Sequence, residues 1–299
     1  MSSTESTVRQ KPVSAVLEVI DGSGSLSRIE KKALVRAVFE IRPLKFLLDL
    51  GKGSARYRAF LNRCLPGWVK CRGVYSSFAE ARSNAPKKIR LGYDHDEIAR
   101  GYQNQRFLLS DYPTACWLKE VLRDGSRVFD LGGSVGISFY LLEDFFEYPS
   151  KLEWTVCEVP AVAHAGEQIA IEKSERRLRF TSRFDEADGS DCLLASGSLQ
   201  YIDASFAELL SALHRPPRHL IVNRIPLHPD RECITLQNIR WAVSPYRIFQ
   251  RDRFIADLEM LGYVLVDAWR VPDHSCWIPL YPEHSVSEYS GLYLRRSEP

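Results

Sequence analysis

The apolar residues of this chain fall into short runs that alternate with stretches of helical spacing. Five such runs between residues 128 and 223 each meet a polar or glycine residue, and helical stretches such as 161–171 separate them. Strands that alternate with helices indicate βαβ units, so we predict a doubly wound α/β fold whose mostly parallel sheet is covered on both faces. Two later runs complete a sheet of seven strands. The predicted strands are 128–131, 152–158, 178–181, 191–196, 219–223, 263–269 and 289–294.

The first part of the chain has a different pattern. Residues 1–12 are polar, and we expect them to form a disordered tail. Ser27 and Glu30 form a capping-box pattern ahead of apolar residues at helical spacing, which predicts a helix that stops at Pro43. We expect residues 13–118 to be a helical region that covers the cleft of a sheet domain, residues 119–299. Alternatively, these helices only pack against the sheet, or they form a homodimer contact.

Composition and charge are those of an ordinary globular protein. Hydrophobic residues make up 45% and charged residues 26% of the 299 residues, and the formal net charge is +2. This balance gives no electrostatic reason to expect a nucleic-acid partner. No apolar run approaches the length of about 18 residues that predicts a membrane span. Met1–Gln10 lacks the apolar core of a signal peptide, so we expect a cytoplasmic protein.

Cysteine usage agrees with that location. The seven cysteines are scattered without a C-x-x-C pair, which favours reduced thiols over a disulfide framework. His274 and Cys276 are close in the sequence, but two ligands do not make a zinc site. We therefore expect no metal centre.

The most informative segment begins where the first strand of the predicted sheet ends. Asp130 is followed by Gly132, Gly133 and Gly136 in the pattern D-x-G-G-x-x-G. This pattern differs from the G-x-G-x-x-G of dinucleotide folds and lacks the lysine of a Walker loop. A carboxylate at the strand tip repels phosphate but accepts hydrogen bonds from a cationic group or a hydroxyl. The segment resembles the first motif of class I S-adenosylmethionine (SAM)-dependent methyltransferases, in which glycine is commonest at the position of Ser134.

That resemblance implies a Rossmann-like fold whose seventh and last strand is antiparallel, SAM as the cofactor and binding groups at the ends of successive strands. In such enzymes an acid at the end of the second strand accepts both ribose hydroxyls, and Glu158 stands at that position. Asp185 falls where they contact the adenine. The expected cofactor-binding residues are Asp130, Gly132, Gly133, Ser134, Gly136, Glu158, Val159, Asp185, Ser196, Gly197 and Ser198.

A narrower resemblance extends over about residues 71–295. Segments such as 73–81, 110–118, 194–201 and 221–226 look like one family of bacterial proteins that are classed as methyltransferases largely by their fold. Members are often encoded near polysaccharide or secondary-metabolite genes. The resemblance implies methyl transfer to an oxygen or nitrogen of a small molecule or a glycan precursor.

Methyl transfer to a hydroxyl or amine also needs a group that takes up the acceptor's proton. Residues 224–249 form a predicted insertion at the carboxyl edge of the sheet, where a substrate lid belongs. His228 is the first candidate for the general base, and His95 is a weaker one. Arg224 either pairs with an anionic group of the substrate or forms a salt bridge within the fold. The candidate substrate-binding residues are Tyr112, Trp117, Asn223, Gln237, Trp241 and Tyr246, although aromatic residues also fill cores.

The sequence thus predicts a SAM-dependent methyltransferase, with two alternatives from other classes. The first alternative is a non-catalytic module that uses the same fold to bind a partner, and the intact glycine turn and Glu158 speak against it. The second is a nicotinamide-dependent oxidoreductase. An acid at the tip of the first strand is unfavourable for the pyrophosphate of that cofactor.

Overall fold

Two β-sheets organise the part of the chain that the structure, a computed structural model, describes: residues 69–87, 89–95, 106–239 and 242–297. The expected tail and helices before residue 66, and Trp241, lie outside the described residues. The strands are β1 (Cys71–Tyr75), β2 (Arg90–Leu91), β3 (Arg127–Leu131), β4 (Glu153–Cys157), β5 (Leu178–Thr181), β6 (Cys192–Ser196), β7 (His219–Ile225), β8 (Leu227–His228), β9 (Cys233–Asn238), β10 (Ala242–Gln250), β11 (Tyr263–Val271) and β12 (Tyr289–Arg296).

Six helices lie among the described residues, and several of them begin where the sequence signals a helix start. The fourth helix begins at Pro160, where a missing N–H costs nothing. No helix of the described residues is long and apolar enough to cross a membrane. The helices are α1 (Phe78–Ser83), α2 (Asp111–Val121), α3 (Ile137–Glu143), α4 (Pro160–Glu172), α5 (Phe206–Ser211) and α6 (Arg251–Glu259).

The larger sheet has seven strands in the order β11-β12-β7-β6-β3-β4-β5. Strands β3 to β7 pair in parallel with their neighbours, whereas β12 is antiparallel to both β7 and β11. This arrangement confirms the doubly wound, mostly parallel sheet and the reversed last strand that the resemblance to class I methyltransferases implies. The carboxyl ends of the parallel strands therefore meet at one edge of the sheet.

Both faces of this sheet are buried. Neighbouring residues of β3 point to opposite faces, so Phe129 belongs to one apolar cluster with Leu193 and Leu220, whereas Val128 belongs to another with Trp154. All of these side chains are 1% exposed or less. The predicted strand boundaries differ from the observed ones by at most two residues. The continuous apolar character of β3 and β6 follows from this two-sided burial.

The smaller sheet lies where the sequence predicted an insertion at 224–249. It is not a loop: β9 and β10 form an antiparallel pair, β1 joins β9, and β2 and β8 pair in parallel with β10. Pro245 lies inside β10, and a proline argues against a strand when only the sequence is read. Strands β1 and β2 also lie within the range 13–118 that was expected to be helical.

Candidate functional site

The chain leaves β3 through a tight turn that requires glycine. Gly132 and Gly136 have left-handed backbones, with φ of 73° and 87°. A Cβ atom placed on Gly132 would lie 2.3 Å from the Cβ of Ser198, so the turn packs directly against the segment after β6. Ser134 is also left-handed, with φ of 55°, at the position where the related motif commonly has glycine. The turn therefore joins the ends of β3 and β6, at the cost of backbone strain at Ser134.

Asp130 lies directly beneath this turn and is fully buried. Its Oδ2 accepts a hydrogen bond from Trp154 Nε1 at 3.3 Å, and a Cβ on Gly133 would lie 2.3 Å from the same oxygen. Its Oδ1 is buried and has no hydrogen-bond partner among the described residues, although the Ser138 side chain lies near enough to the carboxylate to lower its pKa. Burial raises the pKa of Asp130 to about 7, against the opposing effect of the Trp154 hydrogen bond. A buried carboxyl oxygen without a partner is unfavourable, so this oxygen is available to a ligand's donor.

Glu158 follows β4 and binds the other side of the turn. Its Oε1 accepts the Ser134 N–H at 3.0 Å, and its Oε2 accepts the Val159 N–H at 3.0 Å. Burial raises the pKa of Glu158, and these two hydrogen bonds oppose that rise. The N–H group that a phosphate would need at this turn is thus already bound to a carboxylate. Together with Asp130, Glu158 makes the site unfavourable for a pyrophosphate.

Replacing Trp154 by phenylalanine is expected to raise the pKa of Asp130 further and to destabilise the folded protein by about 1 kcal/mol more at pH 8 than at pH 5. Above the pKa of Asp130 the variant would hold an ionised, buried carboxylate without its indole donor, whereas the carboxyl is mostly protonated at pH 5. Urea unfolding at both pH values measures the difference. Trp117→Phe is the matched control, because Trp117 donates to Asp267 and not to Asp130. An equal cost of Trp154→Phe at the two pH values would contradict the prediction.

The predicted residues after β5 and after β6 differ in their exposure and in their hydrogen-bond partners. Asp185 lies in the 3₁₀ turn after β5, is exposed, and binds Arg183 Nε at 3.1 Å. Hydrogen bonding to Arg183 lowers the pKa of Asp185. After β6, the Gly197 N–H donates to the Asn223 carbonyl, and the Ser198 hydroxyl donates to the Leu131 carbonyl. The segment after β6 is thereby fixed between β3 and β7.

Arg224 is paired within the fold. Its Nη2 donates to both carboxylate oxygens of Asp111, at 2.7 and 2.6 Å, and the two side chains are 20% and 12% exposed. Of the two roles predicted for Arg224, the structure shows the salt bridge within the fold. Asn223 lies in the same network, since its Nδ2 is 3.4 Å from Asp111 Oδ1 and from Ser196 Oγ. Its Oδ1 accepts from Trp269 Nε1 at 3.1 Å.

His228 does not have the geometry of a general base. Its Nδ1 accepts the backbone N–H groups of Asp230 and Arg231, at 3.0 and 3.1 Å, and the ring is 8% exposed. An imidazole that accepts at Nδ1 carries its proton on Nε2, so neither nitrogen is free to take up a proton. His228 also lies in β8, paired with β10 in the smaller sheet, beyond the end of β7. These hydrogen bonds contradict the prediction that His228 is the general base.

The segment that contains His95 lies beside the start of α4. The Asp94 carboxylate accepts the Ala161 N–H at 2.9 Å, immediately after the strand end that carries Glu158. His95 Nε2 lies 3.2 Å from the Leu91 carbonyl and is therefore engaged locally. The Tyr93 ring meets the Tyr201 ring edge to face at 4.8 Å. The segment thus reaches the carboxyl edge of the larger sheet through Tyr93 and Asp94 rather than through His95.

The predicted substrate residues separate into two groups. Tyr246 and Gln237 lie together with Tyr201, because the Tyr201 hydroxyl donates to Gln237 Oε1 and the Tyr201 and Tyr246 rings are 5.1 Å apart. Trp117 instead stacks on Tyr293 at 4.1 Å and donates to Asp267, as a packing residue would. Tyr112 is 46% exposed and packs on Phe107 and Phe145.

Three residues of this edge were not predicted from the sequence. Trp154 reads as an ordinary strand residue, Asp111 as the start of a helix, and Tyr201 as part of a turn. Asp111 and Arg224 are 113 positions apart, and Trp154 and Asp130 are 24 apart. The sequence offers a signal for Tyr201 and Asp111, because they lie in the segments 194–201 and 110–118 that carry the narrower resemblance, and none for Trp154.

Comparisons with known proteins were made for the whole chain. No family model matches it, and a search of curated proteins found no relative. Solved structures that share part of its fold include a 1,6-didemethyltoxoflavin-N1-methyltransferase from Burkholderia thailandensis (20% identity, 64% of this chain and 79% of that chain, TM-score 0.44). Others are the magnesium protoporphyrin IX methyltransferase of Synechocystis PCC 6803 (15%, 68% and 93%, 0.45) and the CcbJ methyltransferase of Streptomyces caelestis (13%, 69% and 98%, 0.46).

Proposed function

We propose that this chain binds SAM at the carboxyl edge of its larger sheet and transfers the methyl group to an oxygen or nitrogen of an acceptor. The observation that carries the proposal is the buried Oδ1 of Asp130, which finds no partner in the part of the chain that the structure describes and lies beneath a glycine turn bound to Glu158. Such a site offers carboxylate oxygens and little positive charge. It favours a ligand that donates hydrogen bonds or carries a cation.

The chemical groups of SAM suit this set of residues. SAM presents an ammonium group, a sulfonium and two ribose hydroxyls, and it contains no phosphate. Asp130 and the glycine turn would hold the methionine part, and Glu158 would accept the ribose hydroxyls. When bound, SAM supplies an activated methyl carbon, from which an acceptor atom displaces the sulfonium sulfur. The other residues expected to line the donor site are Gly132, Gly133, Ser134, Gly136, Val159, Asp185, Ser196, Gly197 and Ser198.

The two alternatives make different binding predictions. A nicotinamide-dependent oxidoreductase would bind NAD(H), yet Asp130 would place a carboxylate beneath the turn that receives its pyrophosphate, and the Ser134 N–H of that turn is already bound to Glu158. A non-catalytic module would bind neither SAM nor its product S-adenosylhomocysteine (SAH), or would bind them without turnover. Calorimetric titration of the purified chain with SAH and with NADH separates the oxidoreductase from the other two cases, and transfer of radiolabel from SAM to an acceptor separates a methyltransferase from a module that only binds SAM. Affinity for NADH alone, or for neither ligand, would overturn our proposal.

Replacing Glu158 by glutamine is expected to weaken SAH binding at least about tenfold, or about 1.4 kcal/mol. An amide has one accepting oxygen, so it cannot accept the Ser134 N–H, the Val159 N–H and two hydroxyls as a carboxylate does. Calorimetry with SAH measures the change, after circular dichroism shows that the variant is folded. Glu167→Gln is the control, because Glu167 is half exposed on α4, with its carboxylate 3.9 Å from the His164 ring. Unchanged affinity in folded Glu158→Gln would remove Glu158 from the donor site.

Three further properties of the protein belong to the proposal: the class of acceptor, the location in the cell and the assembly state. We infer a small-molecule or glycan-precursor acceptor from the sequence resemblance, a cytoplasmic location from the composition, and a homodimer through the N-terminal helices. Light scattering of the full chain, and of a chain without residues 1–65, tests the last point. Loss of the dimer only in the shortened chain would support it.

A further inference from the structure

A histidine–aspartate pair follows β11 and has no part in the interactions described so far. His274 Nδ1 lies 3.1 Å from Asp273 Oδ1, and the two side chains are 27% and 30% exposed. No hydrogen-bond partner of His274 Nε2 is found among the described residues. A carboxylate that holds Nδ1–H leaves the Nε2 lone pair free, which is the arrangement that general bases share.

This pair is connected to the end of β7. The Ser110 hydroxyl lies 3.4 Å from Asp273 Oδ2 and accepts a hydrogen bond from Arg224 Nε at 3.2 Å. The Arg224 side chain in turn borders Gly197, since a Cβ placed there would lie 3.7 Å from the Arg224 Cβ. Gly197 directly precedes Ser198, which packs on the glycine turn. These contacts therefore connect His274 to the proposed donor site through a series of neighbouring residues.

A row of aromatic rings forms the second connection. The His274 ring lies 5.7 Å from the Tyr289 ring, and the Tyr246 hydroxyl donates to the Tyr289 hydroxyl at 2.6 Å. Tyr201 and then Tyr93 continue the row, with centroid distances of 5.1 and 4.8 Å. Tyr93 belongs to the segment that binds the start of α4, next to the proposed ribose site. The row of rings thus borders the carboxyl edge of the larger sheet. Its other end is His274, whose imidazole, unlike the tyrosine rings of the row, can accept a proton near neutral pH.

We propose that His274, held through Nδ1 by Asp273, is the proton acceptor for the hydroxyl or amine that is methylated; this inference rests on the proposed function. Methylation of a hydroxyl forms one O–C bond, breaks one S–C bond and one O–H bond, and leaves the S–C electron pair on sulfur. The released proton binds His274 Nε2 and then passes to solvent. No metal or oxidant is needed for this balance.

The charges around His274 are consistent with this role. Asp273 lies beside it in the same loop, Arg224 approaches from β7, and Lys70 approaches from the segment before β1. Burial lowers the pKa of His274, the two cations lower it further, and Asp273 opposes both effects. The imidazole is therefore neutral at pH 7 and able to accept a proton, and it becomes protonated and inactive at lower pH.

The tautomer of His274 can be measured without knowing the acceptor. Long-range ¹H–¹⁵N correlation spectra of the full chain at pH 8 are expected to show the Nδ1–H tautomer for His274. His228 is the internal reference, because its Nδ1 accepts two backbone N–H groups and it should show the opposite tautomer. Asp273→Ala should remove the preference at His274. An Nε2–H tautomer for His274 in the wild-type chain would overturn the proposal.

Methyl transfer supplies the second measurement, with radiolabelled SAM and a panel of phenols, sugars and primary amines. His274→Gln is expected to lower kcat about 100-fold and to remove the acidic limb of its pH profile, with SAH affinity within about twofold of wild type. His214→Gln, in an exposed loop, is the control. A wild-type rate in His274→Gln overturns this inference. Absence of SAH binding in the wild-type chain overturns the proposed function instead. If no compound of the panel is methylated, the tautomer of His274 alone decides whether the inference about His274 stands.

Discussion

Replacing Asp130 by asparagine is expected to weaken SAH binding at least about tenfold, or about 1.4 kcal/mol, and to remove a pH dependence from the stability of the free protein. The carboxylate is fully buried. One oxygen is bound to Trp154, and the other has no hydrogen-bond partner within residues 69–87, 89–95, 106–239 and 242–297. An amide oxygen still accepts the indole N–H, but the side chain loses its charge and its second accepting oxygen. A cationic or donor group of the ligand then lacks its counterpart.

The stability effect has a definite sign. Burial raises the pKa of Asp130 from 3.8 to about 7 in the folded protein, so between these pH values the folded state binds a proton that the unfolded state has released. The free energy of unfolding therefore falls as the pH rises through this window, by up to about 4 kcal/mol in total, and changes no further above it. Asp130→Asn should not show this fall.

Urea unfolding at several pH values between 4 and 8 measures the difference between the wild-type chain and Asp130→Asn. Calorimetry with SAH at pH 8 measures the affinity. Asp144→Asn, which changes an exposed acid after α3, is the control for both. A constant stability difference across the pH range would mean that Asp130 is not buried as described, and equal SAH affinity would remove it from the donor site.

The elements that carry the donor site could be predicted because their signals are local. Asp130 and Glu158 each end a short apolar run, and the two-sided burial of β3 and β4 makes such runs recognisable. The glycine turn is readable for the same reason, since left-handed φ values at Gly132 and Gly136 restrict the residue type. The sequence does not indicate that Ser134 shares this conformation.

The acceptor side could not be predicted to the same degree, because its contacts join distant parts of the chain. His228 was chosen for its residue type and its position in an insertion, but two backbone N–H groups just beyond it occupy its Nδ1. Arg224 finds its partner 113 positions away. Strand β10 contains Pro245, and the sequence predicts only an insertion there, without a strand. In each case tertiary packing decided an outcome that residue type left open.

Replacing Asp111 by alanine is expected to destabilise the protein by about 3–5 kcal/mol, because it leaves the Arg224 guanidinium buried without its carboxylate. Both side chains of the pair are largely excluded from solvent, at 12% and 20% exposure. The substitution also removes the acceptor of the Leu108 N–H, which Asp111 Oδ2 binds at 2.9 Å. Asp111→Asn keeps an oxygen for that N–H, so it isolates the effect of the lost charge.

A double-mutant cycle separates the ion pair from these local effects. Arg224→Met alone leaves the Asp111 carboxylate buried without its main partner, whereas Asp111→Ala together with Arg224→Met leaves neither charge. We therefore expect the double variant to be more stable than Asp111→Ala, with a coupling energy of about 1–3 kcal/mol from urea unfolding. Additive costs would mean that Arg224 is free of Asp111 in solution, and Arg224 would then be available to an anionic acceptor. A clear coupling instead means that Asp111 neutralises Arg224, so that the proposed acceptor side carries no free positive charge at this point.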